Sequence, residues 1–209
     1  MLDPAELLYA YSQGYFPMAI PEDDNEIFWF KPEMRGIIPL DTFHISKNLR
    51  RLYNKQHFEL RINGDFEGTM RACAEREDTW ISEDIVQSYC KLHEMGYGFS
   101  FETWREGKLV GGLYGVIIGK AYFGESMFHR ENDASKIALI FLVQFLKDNG
   151  FKLLDTQYIN DHLKQFGATE VPNADYENML AGALEVGDDE TYRLFRMLKV
   201  CLFNSFRVS

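Results

Sequence analysis

The pattern of apolar and polar positions divides the chain into short punctuated elements. Asp3 stands at an N-cap, Pro4 suits the first helical position, and Glu6 completes a capping-box spacing. Leu7, Leu8, Ala10 and Tyr11 then make an apolar face that Gly14 ends. Gly14 to Met18 reads as an aromatic turn. Phe28 to Phe30 and Gly36 to Leu40 read as short strands bounded by proline. Ser46 caps a basic helix reaching about Asn54, Phe58 to Ile62 alternates as a strand, and Asp65 caps a helix toward Ala74.

A second pattern begins near Thr79. Ser82 caps a helix whose first turn carries Glu83 and Asp84, suited to its positive end, and Gly96 closes it. Phe99 to Trp104 and Leu109 to Ile118 are predicted strands joined by a hairpin at Arg105-Glu106-Gly107-Lys108. Ala121 to Glu125 is a third strand. Ala134 to Asp148 is a helix so apolar from Ile137 to Val143 that it must be buried. Lys152 to Gln157 returns as a strand, and Asn160 to Gln165 is a short helix ended by Gly167. A strand meander, a helical crossover and a further strand make an α+β layered arrangement. The order is that of acetyltransferase-superfamily acyltransferases, so a GNAT-like mixed sheet flanked by helices is expected. A smaller N-terminal α/β subdomain, residues 1–64, would precede a catalytic domain, residues 65–209.

Composition narrows the function classes. Of 209 residues, 46% are apolar and 15% aromatic, enough for a packed core. No run approaches the roughly 20 apolar residues of a membrane span, and Met1 to Glu6 lacks a secretory n-region and h-region. Three widely spaced cysteines, Cys73, Cys90 and Cys201, fit neither a disulfide framework nor a zinc site, so a cytoplasmic location and no metal are expected. Net charge is −10, which disfavours a general nucleic-acid binder. The charge is uneven, however. Lys47, Arg50, Arg51, Lys55 and Arg61 face only Glu59 between His44 and Arg61, whereas 170–190 carries seven acids and no base. The basic run is either a phosphate-binding patch or a solvated helix face.

The candidate chemistry lies where apolar strands end in polar groups. Glu125 follows Ala121-Tyr122-Phe123, and Asp155 and Gln157 alternate with Leu154 and Thr156. On neighbouring strands the three would converge on one cavity. His93, His129 and His162 have no partner spacing for metal binding or nucleophilic catalysis. Ser126 and Ser135 lack a Gly-x-Ser-x-Gly elbow.

Several segments together resemble one family. They are Ala10-Tyr11, Gly14-Tyr15-Phe16-Pro17, Trp29 with Pro32, Arg35, Pro39-Leu40, His44-Ile45-Ser46, Thr79-Trp80-Ile81, Leu92 to Gly96, Leu109 to Val116, Gly124-Glu125-Ser126-Met127-Phe128, Ala134-Ser135-Lys136, Leu154-Asp155-Thr156-Gln157, His162-Leu163 and Gly167-Ala168. In this order they are similar to the leucyl/phenylalanyl-tRNA–protein transferases over residues 5 to 180. The resemblance implies transfer of Leu, Phe or Met from aminoacyl-tRNA to the α-amine of proteins beginning with Arg or Lys. The product would carry a destabilising N-terminus, an N-degron, and no cofactor is implied. A monomer is expected.

It also implies site residues. Asp155 and Gln157 align the acceptor amine: Asp155 polarises Gln157, whose amide oxygen accepts from the amine. Glutamine is a poor base, so the role is to orient and desolvate. Glu125 holds either the cationic acceptor or the aminoacyl α-ammonium. Met18, Trp80, Leu113, Gly124 and Met127 shape a pocket for the donor side chain. Arg35, Lys47, Arg50, Arg51 and Lys55 contact tRNA phosphates. The amides opening the Ala134 helix could face a phosphate.

The sequence departs from the family's pattern in places. A Gly- and Pro-rich leading segment common in the family has no counterpart before the first helix. Met18 replaces a common tryptophan, Phe30-Lys31 a common Trp-Ser pair, and Asp133 a common asparagine, adding charge near Glu125. The rival readings are an acyl-CoA-dependent N-acetyltransferase and a non-catalytic module that binds protein N-termini. The first lacks a clear Arg/Gln-x-x-Gly-x-Gly/Ala phosphate turn; the Asp155-x-Gln157 pair speaks against the second.

Overall fold

The structure is a computed structural model that describes residues 1–20, 26–76 and 79–185. Cys201 and the acids from 188 to 190 lie outside the described residues. In chain order the elements are α1 (Pro4–Ser12), β1 (Phe16–Ile20), β2 (Glu26–Phe30), β3 (Met34–Ile37), α2 (Lys47–Asn54), β4 (Glu59–Ile62), α3 (Phe66–Ala74), α4 (Glu83–Glu94), β5 (Gly98–Arg105), β6 (Lys108–Ile118), β7 (Ala121–His129), α5 (Ala134–Asp148), β8 (Leu153–Gln157), α6 (Asp161–Lys164), β9 (Thr169–Pro172) and α7 (Asn173–Leu184).

The expected caps form. Asp3 accepts from the Ala5 and Glu6 amides, Asp65 from Gly68, and Ser46 and Ser82 from Leu49 and Ile85. Each satisfies an amide that the first helical turn leaves without a partner. The hairpin between β5 and β6 turns at Glu106 and Gly107, both with positive φ (51° and 73°). Three expectations change. The aromatic turn at Gly14–Met18 is the start of β1, which pairs with β2 in a separate two-stranded sheet. The strand expected to Leu40 ends at Ile37. Beyond Gly167 the chain adds β9 and α7, which were not expected.

Seven strands form a mixed sheet in the order β4-β5-β6-β7-β8-β3-β9. All neighbours are antiparallel except β7 and β8, which run parallel with α5 as their crossover. Residues 1–64 supply β3 and β4 to this same sheet, at well separated places, so the boundary expected near 65–80 does not divide two sheets. Two apolar layers cover the sheet. One gathers Leu49 and Tyr53 of α2 and the apolar length of α5 over Phe99, Phe101 and Tyr122. The other gathers Leu7 and Tyr11 of α1, Met70 and Cys73 of α3, Tyr89 of α4 and Tyr176 of α7 around Phe123 and Leu153. The result is an α+β fold with helices on both faces of a mixed sheet.

The sheet positions the site at its parallel seam. β7 and β8 are in register only at Ala121–Leu153, Tyr122–Leu154 and Phe123–Asp155. Glu125 and Gln157 follow immediately, where that register ends and a cavity opens. On the other side of β8, Gly36 faces Gln157. A Cβ at Gly36 would fall within 2.7 Å of the Tyr158 carbonyl carbon, so only glycine allows this close approach.

Candidate active site

A cavity of about 310 Å³ sits at the seam. Its apolar wall comes from Leu113, Tyr122, Met127, Leu139, Leu142, Leu154 and Leu163. Met18, Trp80, Tyr158 and Asn160 flank it, with Gly124 on β7, and Arg76 lines it while donating to the Ser126 hydroxyl. All five residues expected to shape the donor pocket therefore line one space. Leu139 and Leu142 of α5, Leu163 of α6 and Arg76 were not expected there. The near-uniform apolarity of α5 hides its cavity-facing positions among buried ones.

Glu125 and Gln157 both reach this cavity. The Gln157 side-chain amide donates to Glu125 Oε1 at 2.9 Å, and the Tyr11 hydroxyl donates to the same oxygen at 2.6 Å. The Tyr89 hydroxyl lies 3.3 Å from Oε2 and also bonds the Tyr11 hydroxyl. No cation touches the Glu125 carboxylate in this set of contacts. Burial among tyrosine rings therefore raises its pKa, from an ordinary 4.5 to about 7, against the lowering effect of the Tyr11 and Gln157 hydrogen bonds. The same burial, with the nearby Glu125 charge, pushes the Tyr11 and Tyr89 hydroxyls well above their ordinary range, so they act as neutral donors.

Asp155 does not line the cavity. It is fully buried behind it. Its carboxylate takes Arg35 Nε at 2.9 and 3.1 Å and another Arg35 nitrogen at 2.6 Å. The Tyr176 hydroxyl donates to it at 2.6 Å. Asp155 meets Gln157 at the backbone, where its Oδ1 accepts the Gln157 N–H at 2.7 Å, while the side-chain amide bonds Glu125 instead. This is an Asx-type turn. It holds Gln157 at φ 63°, a conformation uncommon outside glycine, and swings its side chain toward Glu125.

Arg35 corrects an expectation. It was grouped with the phosphate-binding cations, but it is fully buried. Its guanidinium lies between the Phe16 and Tyr176 rings at 4.6 and 4.7 Å and donates to the Gly14 carbonyl at 3.0 Å. Burial works against its charge, and the Asp155 carboxylate more than offsets that, so its pKa is raised. A guanidinium enclosed in this way has no face left for a phosphate. Lys47, Arg51 and Lys55 remain exposed on α2, and Arg50 is half-buried. This helix packs on α5, outside the cavity lining.

The remaining candidates have plain surroundings. His93 stacks on Phe66 with ring centroids 4.4 Å apart and bonds the Gly98 carbonyl at 2.8 Å. Asp133 pairs with Lys136 at 2.7 Å, so its charge is answered locally, while the ionic groups that act on Glu125 are Asp155 and Arg35. Among the described residues no cluster of His, Cys, Asp and Glu is arranged to hold a metal ion. No helix among them is long and apolar enough to cross a membrane.

A closed ionic pair behind an amide, a carboxylate bonded by neutral groups and an apolar cavity meet at one sheet seam, an arrangement that can hold an acyl donor beside an amine. The sequence comparisons agree. Residues 37–181 match the family profile described as leucyl/phenylalanyl-tRNA protein transferase, and residues 1–33 match the profile of its N-terminal domain. A leucyl/phenylalanyl-tRNA–protein transferase of Paramagnetospirillum magneticum (strain ATCC 700264 / AMB-1) is 52% identical over 182 residues, covering 85% of this chain and 87% of that protein. The chain belongs to the leucyl/phenylalanyl-tRNA–protein transferase family. Solved structures with partial likeness are L-PGS from Bacillus licheniformis and a functionally unknown conserved protein from Staphylococcus epidermidis ATCC 12228. The first has TM-score 0.39 and 16% identity over 77% of this chain and 55% of that one. The second has TM-score 0.45 and 10% identity over 82% and 65%. The chain spans less than two thirds of either.

Proposed function

We propose that the protein transfers Leu, Phe or Met from aminoacyl-tRNA to the N-terminal α-amine of proteins that begin with Arg or Lys, marking them as N-degrons. The observation that carries this reading is the 2.9 Å bond from the Gln157 amide to Glu125 at the edge of the 310 Å³ apolar cavity. The cavity takes the donor's apolar side chain. Its wall of leucines and Met127 suits unbranched-Cβ side chains of different shape. With Nε2 committed to Glu125, Gln157 keeps its carbonyl oxygen to accept from the acceptor amine. Among the described residues no cation is bonded to the Glu125 carboxylate, which leaves it to the acceptor's cation.

In the reaction the amine nitrogen attacks the ester carbonyl carbon and a new C–N bond forms. The ester C–O bond to the tRNA's terminal ribose breaks, and the proton shed by nitrogen leaves with the ribose oxygen. An α-amine with pKa near 8 is partly unprotonated at neutral pH, so alignment of two bound substrates supplies much of the rate. Lys47, Arg50, Arg51 and Lys55 on α2 supply phosphate contacts to the tRNA body. A mixed sheet that opens at one parallel pair fits a GNAT-like acyltransferase. Acyl-CoA use is disfavoured, because the segment leading into α5 lacks an Arg/Gln-x-x-Gly-x-Gly/Ala phosphate turn.

The test uses labelled Leu-, Phe- and Met-tRNA with peptides beginning Arg, Lys or Ala. Product is expected with Arg and Lys peptides and not with Ala. Absence of product from the Arg and Lys peptides, or acetyl transfer from acetyl-CoA, would overturn the reading.

A further inference from the structure

Arg35 is unusual in how completely it is used. One edge of the guanidinium grips Asp155, one nitrogen donates to the Gly14 carbonyl, and both faces are covered by Phe16 and Tyr176. These partners come from the end of α1, from β1, from β8 and from α7. Tyr176, itself fully buried, closes the circle by donating to Asp155 Oδ2. Asp155 is thus held on three sides, and what it holds in turn is the Gln157 backbone N–H, at a positive φ that is uncommon outside glycine. Arg35 lies between the two segments that match the family profiles, so those matches do not cover it.

We propose that Arg35 and Tyr176 are positioning residues for the transfer reaction: they fix the Asp155 carboxylate so that the Gln157 turn is locked with its side chain on the cavity. This rests on the transferase reading above. Arg35 then has nothing to do with tRNA phosphates, and α7 becomes part of the catalytic assembly although it contributes nothing to the cavity lining. The chemistry favours the pairing. A guanidinium is a planar fork that fixes both the position and the plane of a carboxylate, which an ammonium cannot do. A hydroxyl on the second oxygen removes the remaining rotational freedom. Displacing Gln157 by about 1 Å would cost on the order of 100-fold in rate, since alignment is what it provides.

The experiment measures kcat and the KM for aminoacyl-tRNA in wild type, Arg35→Lys and Tyr176→Phe, with melting temperature recorded for each. Phe58→Leu, in the core away from the site, serves as a destabilised control. Arg35→Lys keeps the charge and loses the fork, and its kcat is expected to fall about 100-fold with KM within two-fold. Tyr176→Phe keeps the ring and loses one hydrogen bond, and about a ten-fold fall in kcat is expected. Phe58→Leu should lose melting temperature and keep kcat at the assay temperature. Wild-type kcat in folded Arg35→Lys overturns the proposal. So does a loss confined to KM together with a flatter salt dependence, which would return Arg35 to tRNA binding. If Arg35→Lys does not fold, Tyr176→Phe decides alone, and unchanged kcat there overturns the proposal. A wild type that transfers nothing to Arg and Lys peptides would instead bring down the transferase reading on which this one stands.

Discussion

Two carboxylates sit one strand apart, Glu125 on β7 and Asp155 on β8, and the protein treats them in opposite ways. Asp155 is fully buried and answered by a full positive charge, with a bidentate fork and a phenol to complete it. Among the described residues Glu125 is hydrogen-bonded only by neutral groups, two tyrosine hydroxyls and an amide, and it opens on the cavity. A buried charge without an opposite charge stays costly, and its pKa reports that cost. The first carboxylate is therefore a fixed part of the frame. The second remains in want of a cation, and the proposed acceptor, with its N-terminal ammonium and its Arg or Lys side chain, carries the charge it lacks.

The largest effect should come from breaking the closed side. Asp155→Asn keeps the shape but leaves Arg35 buried and uncompensated, at a cost of about 3–5 kcal/mol. For a chain of this size that is a fall in melting temperature of about 10 °C or more. Transfer should be lost along with it. Thermal melts and single-turnover transfer rates check both. A melting temperature unchanged by Asp155→Asn would mean that the ion pair is not what closes this side.

Glu125→Gln should behave in the opposite manner for stability. Raised from 4.5 to about 7, the carboxyl binds its proton more tightly in the folded state than in the unfolded one. Its contribution to stability therefore falls as pH climbs from 4.5 through 7, and above pH 7 the charged form costs the folded state roughly 3 kcal/mol at most. Glutamine removes that cost and can still bond Tyr11. The variant should melt higher than wild type at pH 8 and alike at pH 4.5, while transfer to Arg- and Lys-starting peptides falls about 100-fold through loss of the ionic contact. Equal melting at pH 8 would say that Glu125 is well hydrated, and unchanged transfer would remove it from acceptor binding.

This contrast between the two acids was only half legible in the chain. The polar endings of two apolar strands single out Glu125, Asp155 and Gln157, and the parallel crossover that joins their strands follows from the long apolar α5. Which carboxylate would be closed off could not be read, because the closing groups come from afar. Gly14 and Arg35 are 21 positions apart, Arg35 and Asp155 are 120 apart, and Tyr176 stands in a segment whose acids disguise it. A lone arginine between Met34 and Gly36 carries no local sign of the distant partners that bury it. β9 escaped notice because Thr169, Glu170 and Pro172 are exposed and leave no alternation at this sheet edge. The buried positions of α7, Tyr176, Leu180 and Ala183, do keep helical spacing, so that helix was there to be found.

The pH profile sharpens the same difference. Holding a cation requires the Glu125 carboxylate, so wild-type kcat/KM for the acceptor should rise with pH through about 7 and rise again as the amine loses its proton near 8. In Glu125→Gln the limb near 7 should vanish and the limb near 8 remain. A wild-type profile with the amine limb alone would assign Glu125 to the donor side or to structure.

The smallest effect tests the cause of the Glu125 shift. Met127 lies two residues along β7 from Glu125, past the bulge at which β6 and β7 shift register, and lines the same cavity. Met127→Ala enlarges that cavity and lets water nearer the carboxylate, whereas Asp155 sits behind the cavity wall and gains nothing. If dehydration raises the Glu125 pKa, the acid limb of the wild-type profile should move down by about half a pH unit in this variant. The Leu-to-Phe donor preference should shift toward the larger side chain by about ten-fold or less, the usual scale for one cavity change of this size. Melting temperature should fall through the lost packing, slightly less at pH 8 than at pH 4.5 because a better hydrated carboxylate costs the folded state less when charged. A limb that stays near 7 while donor preference shifts would point to the neighbouring charge of Asp155, rather than to dryness, as the cause of the raised pKa.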